Sequence, residues 1–378
     1  MNSFPHAMLR EIYEQPDAVR RVLAHYTTSD SLPDSAWRSL TPSLASSGPI
    51  VIAASGSSRH SGLAAEIMLE DLAAATVDVE YASEYATRST HPSSFHSAIV
   101  LSQSGETSDT LAALRIARSR NLRTLAITNH PESTMAAEAS VSLSLLAGPE
   151  LAIPATKSFL CQLCVLYLLA LHEAAQRSTL TGEDLRSHLA ELHTLPDAFA
   201  AQLGEWDALA AQLAQQTADA RTFLYLGRGI HYAIAREGAL KLKESSYVHA
   251  EAYPTGELLH GPNALVSHDV PVVLLATFDP SLPDSVLRYR QTRETLEKLR
   301  QQQARVLVLA NRSDREIASL ATHCIPIDPC NEYPLAIAEA IPLQLFAYHM
   351  ARVRGIDMDR PRHLNKAVIE PSHTGDHP

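Results

Sequence analysis

The stretch GPIVIAASGSS (48–58) is a short, almost continuously apolar run that ends in a turn rich in Ser and Gly. Three more apolar runs follow it: SAIVLSQS (97–104), RTLAITN (123–129) and ASVSLSLL (139–146). Strands that are apolar on both faces are typical of a parallel sheet covered by helices. The segments 62–75 and 109–120 have helical spacing of apolar residues, which predicts the covering helices, and another helix is predicted at 158–175.

The same alternation begins again after residue 216. Its predicted strands are 221–227, 270–278, 304–311 and 322–327, and its predicted helices are 230–246, 285–303 and 335–355. The halves also align residue by residue, because Gly56 and Glu66 stand ten residues apart, as do Gly227 and Glu237. A second offset, of 182 residues, relates the pairs Asn129–Asn311 and Gln162–Gln344. We therefore predict an α/β protein of two homologous, doubly wound parallel-sheet subdomains with a flavodoxin-like topology.

This organisation divides the chain of 378 residues into five predicted parts. They are an N-terminal helical segment (1–45), a first subdomain (46–195), a helical connection (196–217), a second subdomain (218–356) and a C-terminal tail (357–378) that closes over the active site.

Composition narrows the classes of partner. The chain has 31 Lys and Arg against 42 Asp and Glu, a formal charge of −11, and 46% of its residues are hydrophobic. That balance excludes a disordered chain, and no basic cluster favours nucleic acid or an anionic membrane. The first residues lack the apolar core of a signal peptide, and four cysteines make no disulfide framework. We expect a cytoplasmic protein.

The segment Ser102-Gln103-Ser104-Gly105-Glu106-Thr107 follows a predicted strand and precedes a predicted helix. Hydroxyls and backbone N–H groups at such a helix N-terminus favour an anion, although Ser and Thr are also ordinary helix caps. The second Ser-rich turn, with Ser57 and Ser58, favours the anion site. Hydroxyl-rich turns without the GxxxxGK[ST] pattern indicate a sugar phosphate, bound without a metal, rather than a nucleoside triphosphate.

Lys241 and Glu244 lie three residues apart on a predicted helix and therefore project from one face. A solvated ion pair is the ordinary interpretation of such a pair. The apolar neighbours give little sign that this helix is exposed, and a carboxylate partly removed from water would be a competent general base.

Two further residues are candidates for chemistry. His260 lies in the loop GELLHGP (256–262), where an imidazole would carry protons near neutral pH. Lys366 lies on the predicted extended tail, from which its amine would reach a carbonyl in a pocket. Cys161 and Cys164 have metal or redox spacing, but their apolar helix favours core packing. The sequence has neither an HExxH zinc pattern nor a GxSxG nucleophile elbow.

Taken together, these segments resemble one family. LSQSGETSDT (101–110), GALKLKESSYVHAEAYPTGELLHGP (238–262) and DMDRPRHLNKAVIE (357–370) are similar to the isomerase half of glucosamine-6-phosphate synthases, which is built from two sugar isomerase (SIS) domains. The segment LREIYEQPDAVRRVL (9–23) is similar to the start of that half. The resemblance covers nearly the whole chain and extends to SIS-type glucosamine-6-phosphate deaminases.

The resemblance implies a role for each matching position. It makes Glu244 the base that moves a proton between carbons 1 and 2, places Lys241 beside it, and brings Lys366 to the open-chain carbonyl. It implies that His260 assists ring opening in the site of a neighbouring subunit, and hence a homodimer. It assigns phosphate and sugar contacts, without any cofactor or metal, to Ser57, Ser58, Ser102, Gln103, Ser104, Thr107, Ile153, Ala155 and Asn365.

Three departures from the family bear on function. Ala155 stands where Ser is common, and Asn365 stands where a small residue is common, so the identity of the sugar is open. The complete synthases begin with a glutaminase whose nucleophile is an N-terminal Cys, whereas the first Cys here is Cys161. We therefore expect no glutaminase activity from this chain, and the segment 371–378 extends beyond the usual end of the family.

These observations predict an enzyme that interconverts glucosamine 6-phosphate with fructose 6-phosphate and ammonia, with deamination favoured. Three alternatives stay open at this point. The first is synthesis of the amino sugar from free ammonia or with a separate glutaminase. The second is a deglycase for a sugar-phosphate–amino acid adduct, and the third is a sugar-phosphate sensor without turnover.

Overall fold

Two five-stranded parallel sheets form the centre of the protein, seen here in a computed structural model that describes residues 4–40, 42–44 and 48–366. The first sheet has the order β2-β1-β3-β4-β5. Its strands are β1 (Ile50–Ala54), β2 (Val77–Tyr81), β3 (Ser97–Leu101), β4 (Arg123–Thr128) and β5 (Val141–Ser144). The second sheet has the order β10-β9-β8-β6-β7. Its strands are β6 (Thr222–Gly227), β7 (His249–Pro254), β8 (Val272–Leu275), β9 (Val306–Asn311) and β10 (His323–Ile327).

Helices cover both faces of each sheet. Around the first sheet they are α4 (Gly56–Ala73), α5 (Ala82–Thr87), α6 (Ser108–Ser119), α7 (Thr134–Glu138) and α8 (Lys157–Arg177). Around the second they are α10 (Ile230–Ser246), α11 (Pro283–Gln301), α12 (Arg315–Leu320) and α13 (Glu332–Val353). The chain opens with α1 (Ala7–Tyr13), α2 (Gln15–Tyr26) and α3 (Asp34–Trp37), and the long α9 (Gly182–Gln216) joins the two halves.

The two sheets have one topology, which confirms the predicted fold class. Read from the opposite edge, the second order becomes β7-β6-β8-β9-β10, and this matches the first sheet strand for strand. Both have the flavodoxin-like order 2-1-3-4-5, in which ligands bind where the strand order reverses, at the carboxyl ends of the first and third strands.

The sequence-based predictions were wrong in two details. Strands β2 and β7 were not predicted, because VDVEY and HAEAYP carry charged residues and are only partly buried as edge strands. Helix α4 begins at Gly56 rather than at residue 62, so Ser57 and Ser58 belong to its first turn instead of a separate turn. The Ser-rich start of this helix favours a turn by local propensity, and packing overrides that preference.

One apolar core joins the two subdomains. It includes buried side chains of α4, α8, α10 and α13 and of the inner faces of both sheets, while two smaller cores lie on the outer faces. Helix α8 has the length and apolarity of a membrane span, but 94% of its most apolar window is buried inside the protein, as in a core helix. Cys161 and Cys164 are fully buried in it.

Gly238 marks a close approach between α10, α13 and the second sheet. A Cβ atom at this position would lie 2.8 Å from Leu343 Cδ1 of α13 and 2.9 Å from Tyr225 Cε1 of β6. Both neighbours belong to the shared core, where extra volume forces side chains and backbone to shift.

We expect Gly238→Ala to lower the free energy of unfolding by about 1–3 kcal/mol in urea denaturation, because overpacking of a core costs that much. Gly204→Ala is the matched control, since Gly204 lies inside α9 with no atom within 4 Å of its Cβ position. Alanine there should stabilise the protein by about 0.5–1 kcal/mol. Equal effects of the two substitutions would contradict the close packing described at Gly238.

Candidate active site

A cavity of about 270 Å³ lies at the carboxyl ends of β1 and β3, where the strand order of the first sheet reverses. It receives side chains from the first subdomain, from helix α10 of the second subdomain and from the tail. Twelve of the thirteen predicted site residues line it: Ser57, Ser58, Ser102, Gln103, Ser104, Thr107, Ile153, Ala155, Lys241, Glu244, Asn365 and Lys366. The structure therefore brings together segments that lie up to 309 residues apart, from Ser57 to Lys366.

The loop between β3 and α6 has its hydroxyl groups tied to one another. Ser102 Oγ lies 2.9 Å from Thr107 Oγ1 and accepts a hydrogen bond from the Gly105 backbone N–H at 3.1 Å. Ser104 Oγ accepts from the Glu106 N–H at 3.2 Å. These bonds fix the loop at the N-terminus of α6, where the helix dipole favours an anion.

Gly105 permits the tight path of this loop. Its φ is +68°, and a Cβ atom would lie 2.1 Å from Ser133 Oγ and 2.9 Å from Thr128 Oγ1. A side chain is therefore excluded both by the backbone conformation and by the space available.

The first turn of α4 adds a second helix N-terminus to the cavity. Ser58 Oγ accepts a hydrogen bond from Gln162 Nε2 of α8 at 2.9 Å, and Gln162 Oε1 in turn accepts from Ser61 Oγ at 2.9 Å. Gln162 is almost fully buried, so it holds α4 and its first-turn hydroxyls in a fixed position. The two helix N-termini and the hydroxyls together make this end of the cavity suitable for a phosphate.

Lys241 and Glu244, which also line the cavity, form a tight pair. Lys241 Nζ donates to Glu244 Oε2 at 2.5 Å and lies 3.4 Å from Glu237 Oε1. Lys241 is 1% exposed, so the pair is not the solvated surface pair that its spacing alone would favour. Burial by itself would lower the pKa of Lys241, but the Glu237 and Glu244 carboxylates outweigh it and raise that pKa.

Glu237 is buried behind this pair and has three polar neighbours. His60 Nδ1 lies 2.8 Å from its Oε2, the Ser57 hydroxyl donates to it, and Lys241 approaches its Oε1. Burial would raise the pKa of Glu237, but the charge of Lys241 and the hydrogen bond from His60 outweigh it and lower that pKa. Glu237 is therefore a carboxylate that shares the Lys241 ammonium with Glu244.

The tail reaches the cavity through Leu364, Asn365 and Lys366. Lys366 Nζ donates to Glu150 Oε2 at 2.7 Å and to the Ala152 carbonyl at 2.6 Å. Burial would raise the pKa of Glu150, but Lys366 lowers it. The amine at the cavity wall is thus an ammonium paired with a buried carboxylate, and the predicted segment 367–378 lies outside the described residues.

His260 is the one predicted site residue that the single chain does not bring to this cavity. It is exposed at the end of a short 3₁₀ helix, Thr255–His260, and it does not line the cavity. The predicted action of His260 in a neighbouring subunit's site stays a prediction.

Sequence reasoning missed four buried polar residues that support the site: His60, Glu150, Gln162 and Glu237. The internal repeat carried a signal for each of them. His60 follows Gly56 by four residues, as His231 follows Gly227, and the offset of 182 residues aligns Glu150 with Glu332. Gln162 and Glu237 were themselves part of the residue-by-residue alignment, although no role was assigned to them.

Within the described ranges, no group of three His, Cys, Asp or Glu side chains is placed to hold a metal ion. The charged groups that face the cavity are the Lys241 and Lys366 ammonium groups and the Glu244 carboxylate. The cavity combines a site for an anion, formed by hydroxyl groups and helix N-termini, with the Glu244 carboxylate and the Lys366 amine. These groups are suited to proton transfer on a phosphorylated substrate.

The duplicated sheet with its cavity at the strand ends defines the class of protein. The family model of the SIS domain matches residues 43–172 and 216–354, which are the two halves of the fold. The chain therefore belongs to the SIS-domain family, as its motifs predicted, and this supports an enzyme of the sugar isomerase class.

More particular relatives lie within that family. The chain is 40% identical over 367 residues to the glutamine–fructose-6-phosphate aminotransferase (isomerizing) of Chlorobaculum tepidum; this match covers 97% of the chain and 58% of the relative. The chain thus spans about three-fifths of the length of the curated relatives that it matches. The C-terminal domain of glucosamine-fructose-6-phosphate aminotransferase from Francisella tularensis superposes with a TM-score of 0.88 at 31% identity, covering 95% of this chain and 99% of that one. The fold is also shared with a glucosamine-6-phosphate deaminase of Thermotoga maritima, at a TM-score of 0.72, 24% identity and coverage of 96% and 99%.

We predict that Ser102→Ala combined with Ser104→Ala weakens binding of a hexose 6-phosphate by about 10–100-fold for each hydrogen bond lost to the charged group. Isothermal titration measures the dissociation constant, and binding should be the same in EDTA. Ser119→Ala is the control, because Ser119 is an exposed hydroxyl at the other end of α6. Unchanged affinity in the double variant, or loss of binding in EDTA, would contradict the phosphate assignment.

Proposed function

We propose that this chain interconverts glucosamine 6-phosphate with fructose 6-phosphate and ammonia, and that it acts in the cytoplasm mainly in the direction of deamination. The observation that carries the proposal is the placement of Lys241 and Glu244 in one cavity with the hydroxyl-rich loop 102–107. A phosphate held at the loop would orient the sugar chain toward the carboxylate.

In this proposal Glu244 removes the proton from carbon 2 of the open-chain amino sugar and returns it to carbon 1. The oxygen at carbon 1 gains a proton and the nitrogen at carbon 2 loses one, so the product is the imine of fructose 6-phosphate. Water hydrolyses this imine to fructose 6-phosphate and ammonia. The atoms balance as glucosamine 6-phosphate plus water on one side and fructose 6-phosphate plus ammonia on the other. Lys241 holds Glu244 in place at the cavity through the 2.5 Å bond.

We propose that Lys366 meets the oxygen at carbon 1 or 2 of the open-chain sugar. Its amine reaches the cavity wall but is paired with Glu150, and an ammonium group stabilises negative charge that develops on a carbonyl oxygen. A Schiff base would require release of Lys366 from Glu150 and loss of its proton first. The pairing therefore favours electrostatic stabilisation by Lys366 over covalent catalysis.

The direction of reaction depends on the source of nitrogen. A glutaminase of the family type needs a reactive thiolate, and burial raises the pKa of all four cysteines of the chain, that of Cys164 to about 12 and that of Cys324 to about 11. None of these thiols is suited to attack glutamine. We therefore propose that these residues release no ammonia from glutamine themselves.

Synthesis of glucosamine 6-phosphate is the second candidate, and the relatives' names favour it. The curated proteins are aminotransferases, and both directions use one site. The chain would then take free ammonia or ammonia from a separate glutaminase. In either direction we propose a homodimer in which His260, exposed on its 3₁₀ helix, assists ring opening in the neighbouring site.

We expect Glu244→Gln to lower kcat by about 10²–10⁴-fold, because the amide keeps the shape of the side chain but cannot accept the proton. KM for glucosamine 6-phosphate should change little, since the proposed phosphate contacts are the loop 102–107 and the first turn of α4 rather than Glu244. Glu294→Gln is the control, because this carboxylate is exposed on α11 outside the cavity. Near wild-type kcat in Glu244→Gln would remove Glu244 from the role of base.

The proposed function itself is tested with the purified chain and a panel of amino-sugar 6-phosphates. We expect release of ammonia from glucosamine 6-phosphate and, with ammonia in excess, formation of that sugar from fructose 6-phosphate. Glutamine should yield no glutamate, with or without fructose 6-phosphate. Ammonia release only from sugar-phosphate–amino acid adducts would instead indicate a deglycase, and binding without any turnover would indicate a sensor.

A further inference from the structure

His60 lies on the first subdomain, whereas the proposed base lies on the second. His60 is on α4, two residues after the cavity-lining Ser58, and is 9% exposed. Its Nδ1 lies 2.8 Å from Glu237 Oε2, and Glu237 is on α10, one turn before Lys241. This bond joins the helix that presents the phosphate-site hydroxyls to the helix that presents the acid–base pair.

Glu237 and Glu244 compete for one ammonium group. Lys241 Nζ is 3.4 Å from Glu237 Oε1 and 2.5 Å from Glu244 Oε2, so the stronger bond is the one to Glu244. In the part of the chain that the structure describes, Glu237 Oε1 has no hydrogen bond of good geometry, and the polar partners of the carboxylate besides Lys241 are His60 and Ser57. A carboxylate this deeply buried requires compensation of its charge.

Loss of the His60 bond would leave Lys241 as the main partner of Glu237. The ammonium would then be drawn toward the more buried carboxylate, and its bond to Glu244 would lengthen. Glu244 is 22% exposed at the cavity, and among the described residues its one buried partner is Lys241. Small displacements of a reacting group are costly, since about 1 Å can lower a rate 10²-fold.

We propose that His60 is a positioning residue, which holds Glu237 so that Lys241 stays directed at Glu244. The inference rests on the proposed function, in which Glu244 is the base. The first subdomain thus has a role in proton transfer in addition to phosphate binding. His60 exerts this role through Glu237 and Lys241, two buried side chains of the second subdomain.

The test begins with His60→Leu, which keeps much of the volume of the ring and removes the donor. We expect kcat for glucosamine 6-phosphate to fall about 10–100-fold with little change in KM, because the phosphate contacts are untouched. His60→Asn should restore most of the loss, since the amide N–H can take the place of Nδ1–H. If the Leu variant does not fold, His60→Ala replaces it.

A double-mutant cycle separates positioning from general stability. Glu237→Gln removes the competing charge, so we expect His60→Leu to cost little more in that background than Glu237→Gln costs alone. His349→Ala is the matched control, because His349 is also buried and lies 2.5 Å from a carboxylate, Asp207, but away from the cavity. It should leave kcat and KM at wild-type values.

Several outcomes overturn the proposal: unchanged kcat in His60→Leu, full additivity with Glu237→Gln, no rescue by Asn, or an equal loss in His349→Ala. Failure of the proposed function is a different result, namely a wild-type chain that releases no ammonia. In that case a crystal structure of the His60→Leu protein decides, because a Lys241 Nζ displaced toward Glu237 supports the positioning role. An ammonium still within hydrogen-bond distance of Glu244 refutes it.

Discussion

The packing of α4 against α10 is the constraint on which the site depends. Each helix starts at the carboxyl end of the first strand of its own sheet, and the shared apolar core presses the two together. The buried groups His60, Glu237 and Lys241 lie along this contact, where a charge without a partner would be costly. Packing and electrostatics therefore fix the same geometry where α4 contacts α10. The cavity is lined by Glu244 of α10 and by the hydroxyl groups of the loop 102–107 and of the first turn of α4.

The two halves share a topology but differ in the polar residues near their strand ends. His231 occupies the position of His60 but lies 2.8 Å from Glu339 and 3.4 Å from Glu332 within its own subdomain. A cavity of the second subdomain is lined by the carboxylates of Asp279, Asp284 and Glu332 together with Arg288, and it has one serine, Ser281, against five in the first half's cavity. The second half instead contributes its helix α10 to the first half's cavity.

Most of the site was predictable because its parts are local in sequence. The loop 102–107 and the pair Lys241–Glu244 each lie on one turn, where residue type and spacing determine which groups share a face. Edge strands β2 and β7 were missed because they lack the continuous apolar character of the inner strands: VDVEY alternates buried and exposed residues, and HAEAYP has a single buried residue. The bonds of His60 to Glu237 and of Lys366 to Glu150 join positions 177 and 216 residues apart, and only the folded chain shows them.

Buried carboxylates also explain why the N-terminal helices and the tail meet at this cavity. Glu11 of α1 accepts hydrogen bonds from the backbone of Leu151 and Ala152, and burial raises its pKa. Glu150 lies in the same loop as Leu151 and Ala152, and it accepts hydrogen bonds from Ser158 and from Lys366 of the tail. This loop carries Ile153 and Ala155 into the cavity. The loop wall of the cavity is thus held from one side by α1 and from the other by the tail. Lys366 anchors the tail to Glu150, so in the proposed function a substrate oxygen that attracts this ammonium would compete directly with Glu150 for it.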